Sequence, residues 1–210
     1  MPKETFFNLR DIKRDRVVQA ALEEFAKYPY ERASLSTIVQ NAGIAKGSMY
    51  QYFADKQDLY LYIIKRVYDS KRNYLQDVFA KDQDFFATLQ RYYQRAYMFA
   101  VEYPLYHQIA INFWESKDDK LHQEIIDNKE LRASDFTRML IQAMEDGQVN
   151  PNLSKEAAFF VYHSVGKELI ENFQGLSAEE AEKHLEFIRD VLDILAYGLG
   201  RKGEQSWVKN

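Results

Sequence analysis

The sequence contains no cysteine among its 210 residues. Disulfides, thiol nucleophiles and cysteine-ligated zinc are thereby excluded, and a reducing, cytoplasmic compartment is the expectation. Four prolines and eight glycines leave few breaks, and between them the apolar spacing is helical rather than alternating. No apolar run approaches the roughly 20 residues needed to span a bilayer. Residues 1–10, with charges at Lys3, Glu4 and Arg10, lack the apolar centre of a secretory leader. There is no Walker lysine loop, no GxGxxG after a strand, no GxSxG and no HExxH. His107, His122, His163 and His184 lack metal-ligand spacing, and the Glu180/His184 pair at i, i+4 reads as a surface contact. No catalytic residue, metal or cofactor is therefore expected. No helix pairs a Lys-rich face with a strongly apolar one, so no membrane partner is expected either.

What is present describes a soluble helical protein, 46% hydrophobic and 29% charged. The net charge of −4 is unevenly spread. Residues 1–75 carry 13 Lys and Arg against 9 Asp and Glu, whereas residues 76–210 carry 15 against 23. A basic head on an acidic body suits a nucleic-acid-binding module joined to a regulatory domain.

The head reads as three helices. Val17, Ala21 and Phe25, flanked by Val18 and Leu22, give the first, over about 11–28, one broad apolar stripe. Pro29 ends it. Ser34 is placed to cap a short helix over 35–42, and Gly43 sits where a left-handed residue is wanted. A second short helix over 46–53 follows. On a helical wheel Met49 and Phe53 fall on one side, Gly47, Ser48, Gln51 and Tyr52 on the other, with Lys46 and Tyr50 at the boundary. Two short helices about a tight glycine turn form a helix-turn-helix whose second helix suits a DNA major groove. Asp55, with Asp58 three residues on, is the next cap, opening a long helix over about 56–80.

The run Gly43-Ile44-Ala45-Lys46-Gly47-Ser48-Met49-Tyr50-Gln51-Tyr52-Phe53-Ala54-Asp55-Lys56-Gln57-Asp58-Leu59 resembles the tetracycline-repressor (TetR) family in residue order, spacing and three-helix context. The resemblance implies an all-α protein: a helix-turn-helix bundle over 1–55, a connecting helix over 56–80, and a helical effector-binding and dimerisation domain over 81–210. It implies that Ser34 caps its helix against a phosphate, and that Lys46, Tyr50, Tyr52 and Lys56 hold the DNA backbone. Gly47 would allow close approach, while Ser48 and Gln51 would face base edges. Ala45 and Gln51 depart from the serine and histidine common in the family. Ala45 forfeits a cap, and Gln51 is suited to reading adenine. A repressor that acts as a homodimer on double-stranded operator DNA is the implied function.

The body is expected to hold helices over about 84–103, 105–115, 118–146, 154–174 and 177–199, with Gly175 and Ser177 ending one and starting the next. Its aromatics suit a pocket for a largely apolar or aromatic effector, with Tyr93, Tyr97, Tyr103, Tyr106, Phe113, Trp114, Phe136 and Tyr162 as wall candidates. His107, Asn112, Gln142 and His163 are polar groups able to orient a ligand. Leu185, Ile188, Leu192, Leu195 and Leu199 recur at steps of 3, 4, 3 and 4, a coiled-coil-like seam. With Val161 and Val165 on the preceding helix, it is expected to form a four-helix dimer interface. Two other classes compete. An enzyme lacks a motif, and a helical interaction module without DNA would leave the basic head unexplained.

Overall fold

The computed structural model describes residues 2–78, 84–116, 134–171 and 180–198, although side chains 134–137 and 171 fall outside that description. Ten helices and no strand occur among the described residues: α1 Glu4–Phe7, α2 Asp11–Lys27, α3 Leu35–Asn41, α4 Lys46–Tyr52, α5 Lys56–Tyr74, α6 Phe85–Glu102, α7 Pro104–Glu115, α8 Ser134–Glu145, α9 Lys155–Glu171 and α10 Ala181–Tyr197. The chain divides into two compact units. One holds Met1–Tyr74 with Phe99–Ala133, the other Leu75–Met98 with Ser134–Asn210. The unit carrying the helix-turn-helix thus runs past residue 55, the boundary read from the sequence, and takes in α5 and α7.

Local chemistry sets the boundaries of the first unit. Tyr28 is extended ahead of Pro29 and closes α2. The Ser34 hydroxyl accepts the Thr37 N–H at 3.2 Å and starts α3. Gly43 takes a φ of +64° in the turn, which a side chain would strain. Asp55 accepts the Asp58 N–H at 2.8 Å, while the Asp58 carboxylate accepts the Ala54 N–H at 3.0 Å, so the two satisfy the start of α5 together. Pro104 opens α7, where its missing N–H is no loss.

Val17, Phe25, Ile38, Phe53, Leu59 and Ile63 fill one apolar cluster, and Ile109 and Phe113 of α7 close it. Three polar groups fasten it. Glu24, buried on α2, accepts the Ser34 N–H at 2.7 Å. The Asn112 carboxamide donates to the Phe25 and Ala26 carbonyls at 2.9 and 3.0 Å. Ser116 donates to Glu31 at 2.9 Å. Residues 4–7, for which no element was expected, form α1 and bury Phe6 completely.

In the second unit Phe85, Leu89, Tyr93 and Tyr97 of α6, Leu140 and Met144 of α8, Leu169 of α9, and Ile188 and Leu192 of α10 are buried. The expected helix over 118–146 is described only from Ser134. Phe136 has a described backbone but no described side chain, while Leu199, Gly175 and Ser177 lie outside the described residues.

Candidate nucleic-acid interface

The short helix α4 has two faces. Met49 and Tyr52 point inward with Phe53 behind them, and all three are buried. Lys46, Gly47, Tyr50 and Gln51 are exposed, and Ser48 is half-buried. Adding a Cβ to Gly47 would meet nothing within 4 Å, so the fold itself does not require a glycine there. The cationic, hydroxyl and carboxamide groups of this face lie on a helix narrow enough for a major groove about 12 Å wide.

Two residues expected at this interface, Tyr52 from the helical wheel and Lys56 from the family resemblance, sit elsewhere. Tyr52 is only 5% exposed. Its ring lies 6.1 Å from that of Phe6, so α1 covers the side of α4 that a wheel drawn on α4 alone leaves open. Lys56 is turned back into the head. Its ammonium donates to the Tyr30 and Ala33 carbonyls at 2.7 and 3.2 Å and lies 4.3 Å from the centre of the Tyr30 ring. It staples the loop that presents Ser34. Ser34 is half-buried, its hydroxyl committed to the α3 cap.

The aromatic wall candidates divide between the two units. In the first, Phe113 is fully buried in the head's core and Trp114 is 56% exposed. Tyr103 and Tyr106 belong to an aromatic cluster with Phe99, at 5.1 Å from Phe99 to Tyr103 and 5.8 Å from Tyr103 to Tyr106. Of the polar candidates, Asn112 is spent on α2. Burial pulls the His107 imidazole down to about 4, with Lys71 adding to the effect, so it is neutral at pH 7.

In the second unit Tyr93 is buried and hydrogen-bonded to Tyr162, and burial pushes both phenols up. Tyr93 owes its seat to Gly166, where a Cβ would lie 2.5 Å from the phenol oxygen. Tyr97 is fully buried and stacks on His184 at 5.8 Å.

The leucine seam of α10 also reads differently in the fold. Ile188 and Leu192 are buried within the unit, and Leu185 and Leu195 are half-buried. The exposed large apolar side chains of α9 and α10 are Phe160, Val161, Phe187, Ile194 and Tyr197. An open groove of about 280 Å³ runs between the two helices, lined by Ser164, Val165, Glu168, Leu169, Phe187 and Val191.

The family described as bacterial regulatory proteins, tetR family, matches residues 17–63, from α2 into α5. A solved TetR family transcriptional regulator from Chloroflexus aurantiacus is 34% identical, with a TM-score of 0.75 over 94% of this chain and 98% of that one. The chain belongs to the TetR family. Among curated relatives, the HTH-type transcriptional regulator YvdT of Bacillus subtilis is 32% identical over 89 residues, which is 42% of this chain and 43% of the relative. This chain therefore aligns with less than half of that protein. FadR from Bacillus subtilis, solved with stearoyl-CoA, shares the fold at 16% identity, with a TM-score of 0.68 over 89% of this chain and 99% of that one.

The protein is accordingly a TetR-family helix-turn-helix transcriptional regulator. No described helix is long and apolar enough to cross a membrane. Sequence reasoning passed over several residues that place the family's DNA-binding elements. Glu24 and the α1 residues Thr5 and Phe6 carry no motif, and in the sequence Lys3 is only one more charge near the N-terminus. Asn112, which its residue type makes a candidate ligand group, instead caps α2.

Proposed function

We propose that this regulator is a homodimer that binds a palindromic operator through α4, represses transcription from it, and lets go when a largely apolar or aromatic small molecule binds. The observation that carries the DNA reading is the outward face of α4. Lys46, Gly47, Ser48, Tyr50 and Gln51 crowd the exposed side of a seven-residue helix, and the open space over Gly47 serves no packing purpose. Lys46 and Tyr50 would hold phosphates, Gly47 would let the DNA backbone approach, and Ser48 and Gln51 would read bases. Ser34 would act through the cap it provides, and Tyr52 and Lys56 by supporting the face from behind.

Dimerisation is assigned to the exposed side of α9 and α10, which carries the exposed Phe160 and Val161 and an open groove lined by Val165, Phe187 and Val191. A twofold pairing of two such helix pairs gives a four-helix interface and presents two recognition helices, hence a palindrome. For the effector, the buried Tyr93 and Tyr97 and the half-buried Tyr162 favour an apolar ligand with few polar groups. The Bacillus subtilis FadR neighbour was solved with stearoyl-CoA, whose long acyl chain, though not its charged CoA moiety, is in keeping with an apolar class.

Random-site selection with the purified protein tests the DNA reading. Enrichment of an inverted repeat is the expected result, and no enrichment refutes it. A thermal-shift screen that includes long-chain acyl-CoA and aromatic compounds tests the effector class. A hit must lower operator affinity and be bound more weakly, by the same factor, when operator is present.

A further inference from the structure

The recognition helix has an unusual source of support. At seven residues, α4 is far shorter than the roughly 12–15 residues an isolated helix needs to hold itself. Ala45, at its N-cap, offers no side-chain acceptor. The last carbonyls of any helix have no partner within it. In this helix three consecutive ones are taken by donors from one short stretch of chain. The Lys3 ammonium donates to the Tyr50 carbonyl at 2.8 Å, the Thr5 hydroxyl to the Gln51 carbonyl, and the Lys3 N–H to the Tyr52 carbonyl at 2.8 Å. Beneath these bonds the fully buried Phe6 ring lies 4.8 Å from Phe53 and 5.4 Å from Tyr62.

We infer that residues 3–6 are a brace for the C-terminal end of the recognition helix, and that Lys3 and Thr5 are positioning residues for base reading at Gln51. The inference rests on the DNA reading above. The Lys3 cation sits where the negative end of the helix dipole is strongest, and its bond to Tyr50 directs it at the protein backbone rather than at phosphate. Thr5 holds the main chain of Gln51, whose side chain is exposed. Without the brace the last turn of α4 frays, and Gln51 loses the fixed geometry that a two-bond contact to a base demands. Lys46, at the other end of α4, keeps its place.

The test uses the full chain with Thr5→Val, Lys3→Met and Lys3→Arg. Thr5 and Lys3 are exposed, so neither substitution opens the core. In the free protein, amide exchange in α4 is expected to quicken by about three- to tenfold in Thr5→Val and Lys3→Met, the loss of roughly one hydrogen bond. Exchange in α2 should stay unchanged, and Lys3→Arg should behave as the native chain. On DNA, Thr5→Val is expected to flatten base preference at one position per half-site. Lys3→Met should weaken binding without changing the salt slope, whereas loss of a phosphate contact would lower it by about one. Unchanged α4 exchange in both variants, or a lowered salt slope in Lys3→Met, overturns the brace. If the native chain enriches no DNA sequence, the regulator reading fails, and the exchange measurement still decides the brace.

Discussion

Replacing Asn112 by leucine removes a cap that α2 cannot supply for itself. Within a continuing helix the Phe25 carbonyl would accept the N–H of residue 29, which is a proline and has none. The Asn112 carboxamide supplies the missing donor, bonding Phe25 at 2.9 Å and Ala26 at 3.0 Å. Gln108 donates to the Asn112 oxygen at 3.0 Å, which fixes the amide with its nitrogen toward α2. Two buried hydrogen bonds are worth about 1 kcal/mol each, and leaving their acceptors dry adds about 1–3 kcal/mol more. Asn112→Leu fills the space and keeps water out, so a loss of about 3–5 kcal/mol is expected. Asn112→Ala leaves room for water to reach both carbonyls and should cost less. Asn112→Asp sets a carboxylate against two carbonyl oxygens and should cost the most at neutral pH, with partial recovery on acidification as the carboxyl gains a proton. Because the chain forms two units, the appropriate observable is peptide-level hydrogen exchange across α2 and α7 rather than one global transition. Exchange in α2 of Asn112→Leu within about 0.5 kcal/mol of the native chain would refute the capping argument.

Other substitutions separate fold from function. Gly47→Ala meets open space and removes a poor helix former, so the melting temperature should hold or rise. Operator affinity should fall about tenfold, equivalent to about 1.4 kcal/mol, and an unchanged affinity would remove Gly47 from the interface. Lys46→Ala should lower the salt slope of DNA binding by about one, whereas Lys56→Ala, whose ammonium is spent on Tyr30 and Ala33, should weaken binding with no change in slope. His107 sits near 4 in the folded chain against 6.5 for an ordinary histidine. The unfolded chain therefore binds the proton first, and stability is lost as pH falls from about 6.5 toward 4, by up to about 3 kcal/mol. His107→Gln should flatten that stretch of a stability–pH curve. Phe187→Glu should yield a folded monomer in sedimentation, because Phe187 is exposed within the subunit, while Leu192→Glu should unfold the second unit. A Phe187→Glu dimer would move the interface elsewhere.

The features that were legible in the sequence are those decided within a few residues. The Ser34 cap, the Gly43 turn and the Asp55/Asp58 start depend on local backbone chemistry, and each is found where the residue types place it. Features decided by distant chain were not legible. A wheel for α4 sends Tyr52 outward because it cannot know that Phe6, far upstream, covers it. The 3–4 spacing of Ile188 and Leu192 reports a buried stripe but not which helix buries it, and here both pack inside their own unit. The aromatic abundance of residues 85–114 is one compositional signal with two destinations, since Phe113 seals the head while Tyr93 and Tyr97 belong to the second unit. Lys56 has the position of a family DNA contact, yet a carbonyl pair 23 and 26 residues upstream claims it.

The entry of α7 into the head's core bears on how such a protein is made and remade. During synthesis at about 5–20 residues per second, α2 to α5 leave the ribosome several seconds ahead of Ile109, Asn112 and Phe113. In that interval the apolar side they will share with α7 stands open, a natural target for a chaperone. The same dependence constrains anyone building a sensor by exchanging heads between relatives. A splice at residue 55 transplants an unfinished core and an uncapped α2, whereas a graft of residues 1–74 together with 99–116 carries α5 and α7 as well and keeps the core cluster and the α2 cap. The reading head of this regulator is contiguous in space but not along its gene.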